Sequence, residues 1–524
     1  NHQGGIFAMV LKKIIRKPLT GGYKNLKTEL FEEKINEDIT ERELRQNQEV
    51  LVNNEEIIPQ ESTNKDNIIM EKKEELNGLE KVDDEISICY ESGKLFYNGD
   101  KTSNLLKVGV PEINIDTNNV MLPITTKYLN RDIKILIPRD KAMSKREIIK
   151  LSLQGADVTE ENAKYHIRSI EYQERKIGRV NNTHSELGFA KYKEKEIFKL
   201  YKAINEDSSY VGALDLKPKG NLSNYLDDLR EHVVPYTNIS LAFALGVSSS
   251  VVAKLNMYHN DINTLLAHLV TESSKGKSTA TMLAISVWGN PNLRTGGLYN
   301  IWNSTENALS TSLAGNYGVA YALDELSMSK IVDTTSLIYN LVGGKDKARL
   351  TKEIELRKSG TWVTTIISNG EASILSRAKN NTGLEVRVLE LEGIVWTEDA
   401  NHSDQVKALV NRNYGVFGAD FVKRLIEFPA DRLKEIFEEV KEKNIQDDML
   451  SRTSCKYAIV TLTIRLINSR YKDRGIILDI EGIRELLVDT EINSINRRGI
   501  KRKAEDWLIQ YIESNASKFK SGKE

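Results

Sequence analysis

Cysteine is nearly missing from this chain: Cys89 and Cys455 are the only two, and they lie far apart in sequence. Two distant thiols exclude a disulfide scaffold and a cysteine zinc site, and they fit a reducing, cytoplasmic setting. An excess of one charge is missing too. The 74 lysines and arginines meet 75 aspartates and glutamates, for a net charge of −1. No global basicity announces nucleic acid, so any such site must be local or built by assembly. The 7 histidines show no metal-ligand spacing. No signal peptide is evident, and no apolar run reaches the roughly 18 residues of a membrane span. No internal repeat is visible.

What remains is a chain of 524 residues, too long for one core, so about two to four domains are expected. Residues 1–8 read as a vector-derived remnant before a start at Met9. Residues 9–85 are dominated by charged and amide side chains, which predicts a loosely ordered arm. Residues 86–215 read as a mixed α+β domain. ISICY and KLFYNG form a hairpin, MLPIT and DIKILIP are strands, and Ser144–Leu153 and Asp157–Arg175 are helices, the latter opened by Asp157. Residues 216–412 alternate strands and helices, as a parallel-sheet α/β nucleotide-binding core does. Residues 413–524 are mostly helical in pattern.

The organising stretch is Asn263 to Trp288. A short apolar run, Thr264–Val270, precedes Ser274-Lys275-Gly276-Lys277-Ser278-Thr279, and helical spacing follows. This is the layout of a phosphate-binding loop. Its backbone N–H groups and the helix start attract a polyphosphate. Lys277 supplies charge to the β and γ phosphates, and the Ser278 hydroxyl can ligate Mg²⁺. GKS alone is common in surface turns; the flanking strand and helix give it weight. Thr271 replaces the first glycine of GxxxxGK[ST], which puts the first turn of the loop in question.

Downstream, Val319–Leu323 is an apolar run ending in Asp324-Glu325. Asp324 would hold Mg²⁺ through water, and Glu325 would polarise the attacking water. A second run, Val363–Ile367, ends in Ser368-Asn369, which gives Asn369 a sensor role at the γ-phosphate. Between Gly343 and Gly360, Lys345, Lys347, Arg349, Lys352, Arg357 and Lys358 form a basic ribbon, diluted by Asp346, Glu353 and Glu355. A hairpin there would point away from the nucleotide and, in a ring, towards DNA in the channel. Arg387, in LEVRVLEL, could act as a finger on the γ-phosphate of a neighbouring subunit. Arg377 competes for that role, and an ion pair with Glu385 or Glu390 is the plainer account of Arg387. In NSTENAL, Ser304 reads as a helix N-cap.

HLVTESSKGKSTA, SVWGNP, WNSTENAL, YALDEL, IISNGE and EVRVLEL, in this order, resemble the phage- and plasmid-type helicase domain of mobile-element replication proteins. The resemblance is strongest to the self-loading, MCM-like helicases of staphylococcal cassette chromosomes and pathogenicity islands, and it covers roughly His184 to Lys472. It implies an AAA+ P-loop ATPase core, a homo-hexamer, and ATP-driven translocation on single-stranded and forked DNA. It also implies a replication setting with an element-encoded polymerase or origin-binding partner. Within the EVR motif it favours Arg387 over Arg377 as the finger. An AAA+ ATPase that remodels protein complexes is the alternative reading. The basic ribbon, which lacks an aromatic residue, argues against it. A nucleotide switch with little turnover is a third reading, and the Asp324-Glu325 pair argues against that.

Overall fold

The apolar runs singled out above, the LEVRVLEL segment and residues 299–301 form five short strands: β1 (Leu265–Val270), β2 (Tyr299–Ile301), β3 (Tyr321–Asp324), β4 (Thr365–Gly370) and β5 (Val388–Glu392). In a computed structural model of the chain they make one sheet in the order β2-β3-β4-β1-β5. Every pairing in it is parallel. β1 and β4 are buried at all positions. Strands covered on both faces have no solvent side, so they read as continuous apolar runs rather than alternations.

Two helices flank the phosphate loop. Helix α1 (Thr237–Asn256) leads into β1, and α2 (Lys277–Ser286) follows the loop. By length and composition α1 could cross a membrane, and it is the one such helix among the described residues, but 94% of its apolar window is buried inside the protein. It is the core helix of the sheet. A Cβ at Gly246 of α1 would lie 2.2 Å from the Ala284 carbonyl oxygen, so only glycine lets α1 and α2 pack this closely. Trp288 Nε1 donates to the buried Gly246 carbonyl at 2.8 Å.

The structure describes residues 78–515, apart from residues 260, 294–295, 332, 348, 351–355, 358, 379–381, 446–452 and 499. The charged arm expected over 9–85 therefore lies outside the described residues up to 77. Its end corrects the expectation: Leu79–Lys81 is a strand in a four-stranded sheet with Ile86–Cys89, Lys94–Tyr97 and Lys101–Asn104. Glu80 pairs with Lys176 and Arg168 with Asp83 and Glu85, so charges that read as solvated are tied to the helix Ala163–Ile177. That helix begins later than Asp157. The Asp157 carboxylate instead accepts the N–H of Asn104 at 2.9 Å, while Thr159 and Asn162 satisfy each other ahead of the first turn. Ser144–Leu153 is not one helix either. It splits into Lys145–Ile148 and a 3₁₀ segment, Ile149–Gln154, ended by Gly155 at φ 89°. The expected strands MLPIT and DIKILIP form the long hairpin Val120–Tyr128 and Arg131–Pro138.

The apolar packing does not break at residue 215. Leu187–Tyr192 and Lys195–Lys199 form a hairpin whose first residues pair in parallel with Asn316–Tyr317. Leu187, Phe189 and Phe198 belong to the same apolar cluster as the parallel sheet. Two buried ion pairs fasten this hairpin, Lys199 with Asp116 and Lys254 of α1 with Glu196. Burial pushes the Asp116 carboxyl up, but the N–H of Glu186, the Lys199 ammonium and the Ser185 N–H together hold it below the usual carboxylate range. Beyond β5 the chain is helical: Phe417–Glu427, Ala430–Ile445, Ser454–Tyr471, Ile480–Arg498 and Ile500–Ser514. Lys456 ties this region to the sheet by donating to the Val388 carbonyl at 2.8 Å.

His166, in the N-terminal domain, is fully buried, and burial lowers its pKa to about 4 although Asp157 opposes this. The unfolded chain then takes up the proton first, at about 6.5, so stability is lost as pH falls from there towards 4. Acidification from pH 7 to 5 is expected to lower the melting temperature, and His166→Gln is expected to reduce that drop. Thermal melts of both proteins at the two pH values check this, and equal drops would exclude His166 as a source.

Candidate nucleotide site

The C-terminal ends of the parallel strands bring the site together. β1 ends at Val270, and residues 271–276 turn the chain into α2. Ser274 (φ 65°) and Gly276 (φ 81°) are left-handed. Thr271 is not, so in this loop the first position does not need glycine. Left-handed residues in such a turn can aim backbone N–H groups at an anion. Gly276 is required twice over, for its φ and because a Cβ there would lie 2.6 Å from Thr397 Oγ1. The segment after β5 braces the loop, with the Trp396 N–H donating to the Lys275 carbonyl at 2.9 Å.

Lys277 is buried, and its ammonium donates to the carbonyls of Thr271 and, at 2.8 Å, of Glu272. Ser278 is exposed at the start of α2. Thr279 is buried, and its hydroxyl is bonded to Ser403 at 2.7 Å. Only its backbone is left to serve the loop mouth.

Asp324 is the last residue of β3, and β4 stands between β3 and β1. The Asn369 tip thus lies between the phosphate loop and the carboxylates, which the sequence order alone does not dictate. Asn369 is buried. Its amide oxygen accepts the Glu325 N–H at 2.9 Å, and its amide nitrogen donates to Thr281 Oγ1 at 3.2 Å. Glu325 is itself left-handed, φ 58°. A non-glycine residue holds that conformation at a cost of about 1–2 kcal/mol, and the Asn369 clamp is what fixes it here.

Sequence reasoning missed Tyr299. Its hydroxyl donates to Asp324 Oδ2 at 2.5 Å. Burial first, then Asp324, raises the phenol pKa, so the group is a protonated donor. The strand is only three residues long, Tyr299-Asn300-Ile301, so no apolar run marked it in the sequence. Beneath this layer runs a second buried network. Trp302 Nε1 donates to Ser368 Oγ at 3.0 Å, Ser368 Oγ bonds His268 Nδ1 at 2.8 Å, and His268 Nε2 bonds the Ala372 carbonyl at 3.0 Å. Glu390 of β5 accepts from Ser373 Oγ and the Ile374 N–H. Burial lowers the His268 pKa although Glu390 opposes it.

Among the described residues there is no group of three or more histidine, cysteine, aspartate or glutamate side chains that could hold a metal ion. A hydroxyl and a carboxylate such as Ser278 and Asp324 are instead the sparse, hard-oxygen donor set that Mg²⁺ takes when nucleotide phosphates and water complete its shell.

Other expected residues lie elsewhere. Arg387 precedes β5 and is exposed, with Nη1 donating to the Gly383 carbonyl and the guanidinium 4.9 Å from the Tyr339 ring centroid. It sits at the opposite edge of the sheet from the loop. Arg377 is half-buried and donates to the Ser329 carbonyl at 3.0 Å. The basic ribbon does form a hairpin, Arg349–Leu350 against Leu356–Arg357, closed by Lys345 opposite Thr361. It leaves the N-terminal edge just before β4, on the side away from the loop. Lys347 pairs with Glu306; Lys352 and Lys358 lie outside the described residues. The cap of the helix Glu306–Leu313 is Thr305 rather than Ser304, because its hydroxyl is the one that reaches the Ala308 N–H.

A five-stranded parallel sheet with a glycine-lysine-serine turn after an inner strand and carboxylates two strands away defines an α/β fold. Residues 108–361 match the sequence pattern of a family described as a domain of unknown function, DUF927. No curated protein matches the chain. Among solved structures, the chain is similar to the active helicase SCCmec type IV Cch. The two share 24% identity over 86% of this chain and 84% of that one, with a TM-score of 0.67. The fold is therefore one that a helicase uses.

Proposed function

We propose that this protein is an ATP-dependent DNA helicase with an AAA+ core. It works as a homo-hexameric ring on single-stranded and forked DNA in the replication of a mobile element. The observation that carries the reading is the convergence of Lys277, Ser278, Asp324, Glu325 and Asn369 at one edge of a parallel sheet, on a fold like that of a helicase. Lys277 would exchange its loop carbonyls for the β and γ phosphates of ATP. Ser278 and Asp324 would hold Mg²⁺, which supplies charge neutralisation to the transferring phosphoryl group. Glu325 would orient the attacking water, kept in place by the Asn369 clamp on its backbone. Arg387 faces away from this site and would serve that of a neighbouring subunit. The hairpin at the opposite edge would carry Lys345, Lys347, Arg349 and Lys352 to DNA.

The test is ATP hydrolysis with and without single-stranded DNA, together with strand displacement from a forked duplex. DNA-stimulated hydrolysis with displacement is expected, and Lys277→Ala should lower turnover by about 10²–10³-fold. Hydrolysis indifferent to DNA, with no displacement, would move the assignment to protein remodelling. Normal turnover in Lys277→Ala would overturn the site.

A further inference from the structure

The Tyr299 hydroxyl donates its proton to Asp324 Oδ2, the carboxylate that the proposed site uses for its metal. A carboxylate with one oxygen held by a donor keeps the other for the metal or its water. Outer residues of this kind set the orientation of first-shell ligands elsewhere.

We propose that Tyr299 is the positioning residue of the Mg²⁺ site, holding Asp324 in place before nucleotide arrives. It rests on the nucleotide-binding reading above and deepens it. Tyr299 is buried to 3% exposure on edge strand β2. The register places Ile301 beside Asp324, so the phenol meets that carboxylate from a fixed backbone. Removing the hydroxyl leaves Asp324 Oδ2 without its donor. The phosphate contacts of Lys277 and of the loop backbone do not pass through Tyr299.

The experiment titrates a fluorescent ATP analogue into wild type and Tyr299→Phe, once with EDTA and once across a range of MgCl₂ concentrations. Phenylalanine keeps the shape of the ring, and the EDTA arm reports whether the loop is folded. The expected result is equal metal-free affinity and a Mg²⁺ requirement raised by about 10–100-fold in the variant. The same Mg²⁺ dependence in both proteins would overturn the positioning role. A loss of affinity in EDTA as large as that in Mg²⁺ would make Tyr299 a part of the fold, and would overturn it too. Absence of nucleotide binding by wild type in either arm is a different result, and it would sink the nucleotide-site reading itself.

Discussion

Arg387→Ala is expected to lower ATP turnover by about 10³–10⁵-fold, the range for loss of an arginine finger, while nucleotide affinity stays near that of wild type. The argument is geometric. β5 runs parallel to β1, with Glu392 opposite Val270 at the loop end and Val388 opposite Leu266 at the other. Arg387 thus sits five residues below the loop end, about 16 Å at roughly 3.3 Å per residue. It cannot serve the nucleotide of its own chain, yet it is exposed, with its guanidinium on the Tyr339 ring. Both arginines donate to a carbonyl of their own chain, but Arg377 is half-buried where Arg387 is exposed, so Arg377 is less free to cross an interface. Mixing Arg387→Ala with a variant that lacks the catalytic carboxylate should restore some turnover, because mixed interfaces pair an intact site with an intact arginine. No recovery at any mixing ratio would count against action between subunits.

The second large effect is that of Glu325→Gln, which should bind ATP as wild type does and turn it over about 10²–10⁴-fold more slowly, the usual worth of general acid–base catalysis. Glutamine keeps the length and shape of the side chain, so the left-handed backbone at 325 and its bond to Asn369 survive. Loss of the charge is then the sole change. Asn369→Ala should resemble it in turnover for another reason. It frees the Glu325 N–H and lets the carboxylate drift from the water it orients. Single-turnover hydrolysis beside nucleotide binding separates the two steps. Weakened binding in Glu325→Gln would mean that this carboxylate holds the nucleotide rather than the water.

The strands that lead to Lys277, Ser278, Asp324 and Glu325 were legible in the sequence because each is a strand-length apolar run. The helical C-terminal region was legible from its periodicity. Other features were not. The strand at Leu79–Lys81 was hidden because an edge strand can carry charge when ion partners wait on a distant helix. The start of the helix at Ala163 was hidden because Asp157 has a better partner in Asn104 than in its own first turn. The depth of the core was hidden because Leu187–Lys199 pairs with strand residues more than a hundred positions later.

The sequence by itself determined which residue types stand at which strand ends: a glycine-lysine-serine turn after β1, an aspartate-glutamate pair at the end of β3 and an asparagine at the end of β4. Only the tertiary structure decided that β4 inserts between β1 and β3 and sets Asn369 against Glu325, that Arg387 lies at the far end of β5 from its own loop, and that the Tyr299 hydroxyl bonds Asp324. Strand order and side-chain meeting points depend on contacts between residues far apart in the chain. Local periodicity and spacing carry no term for such contacts.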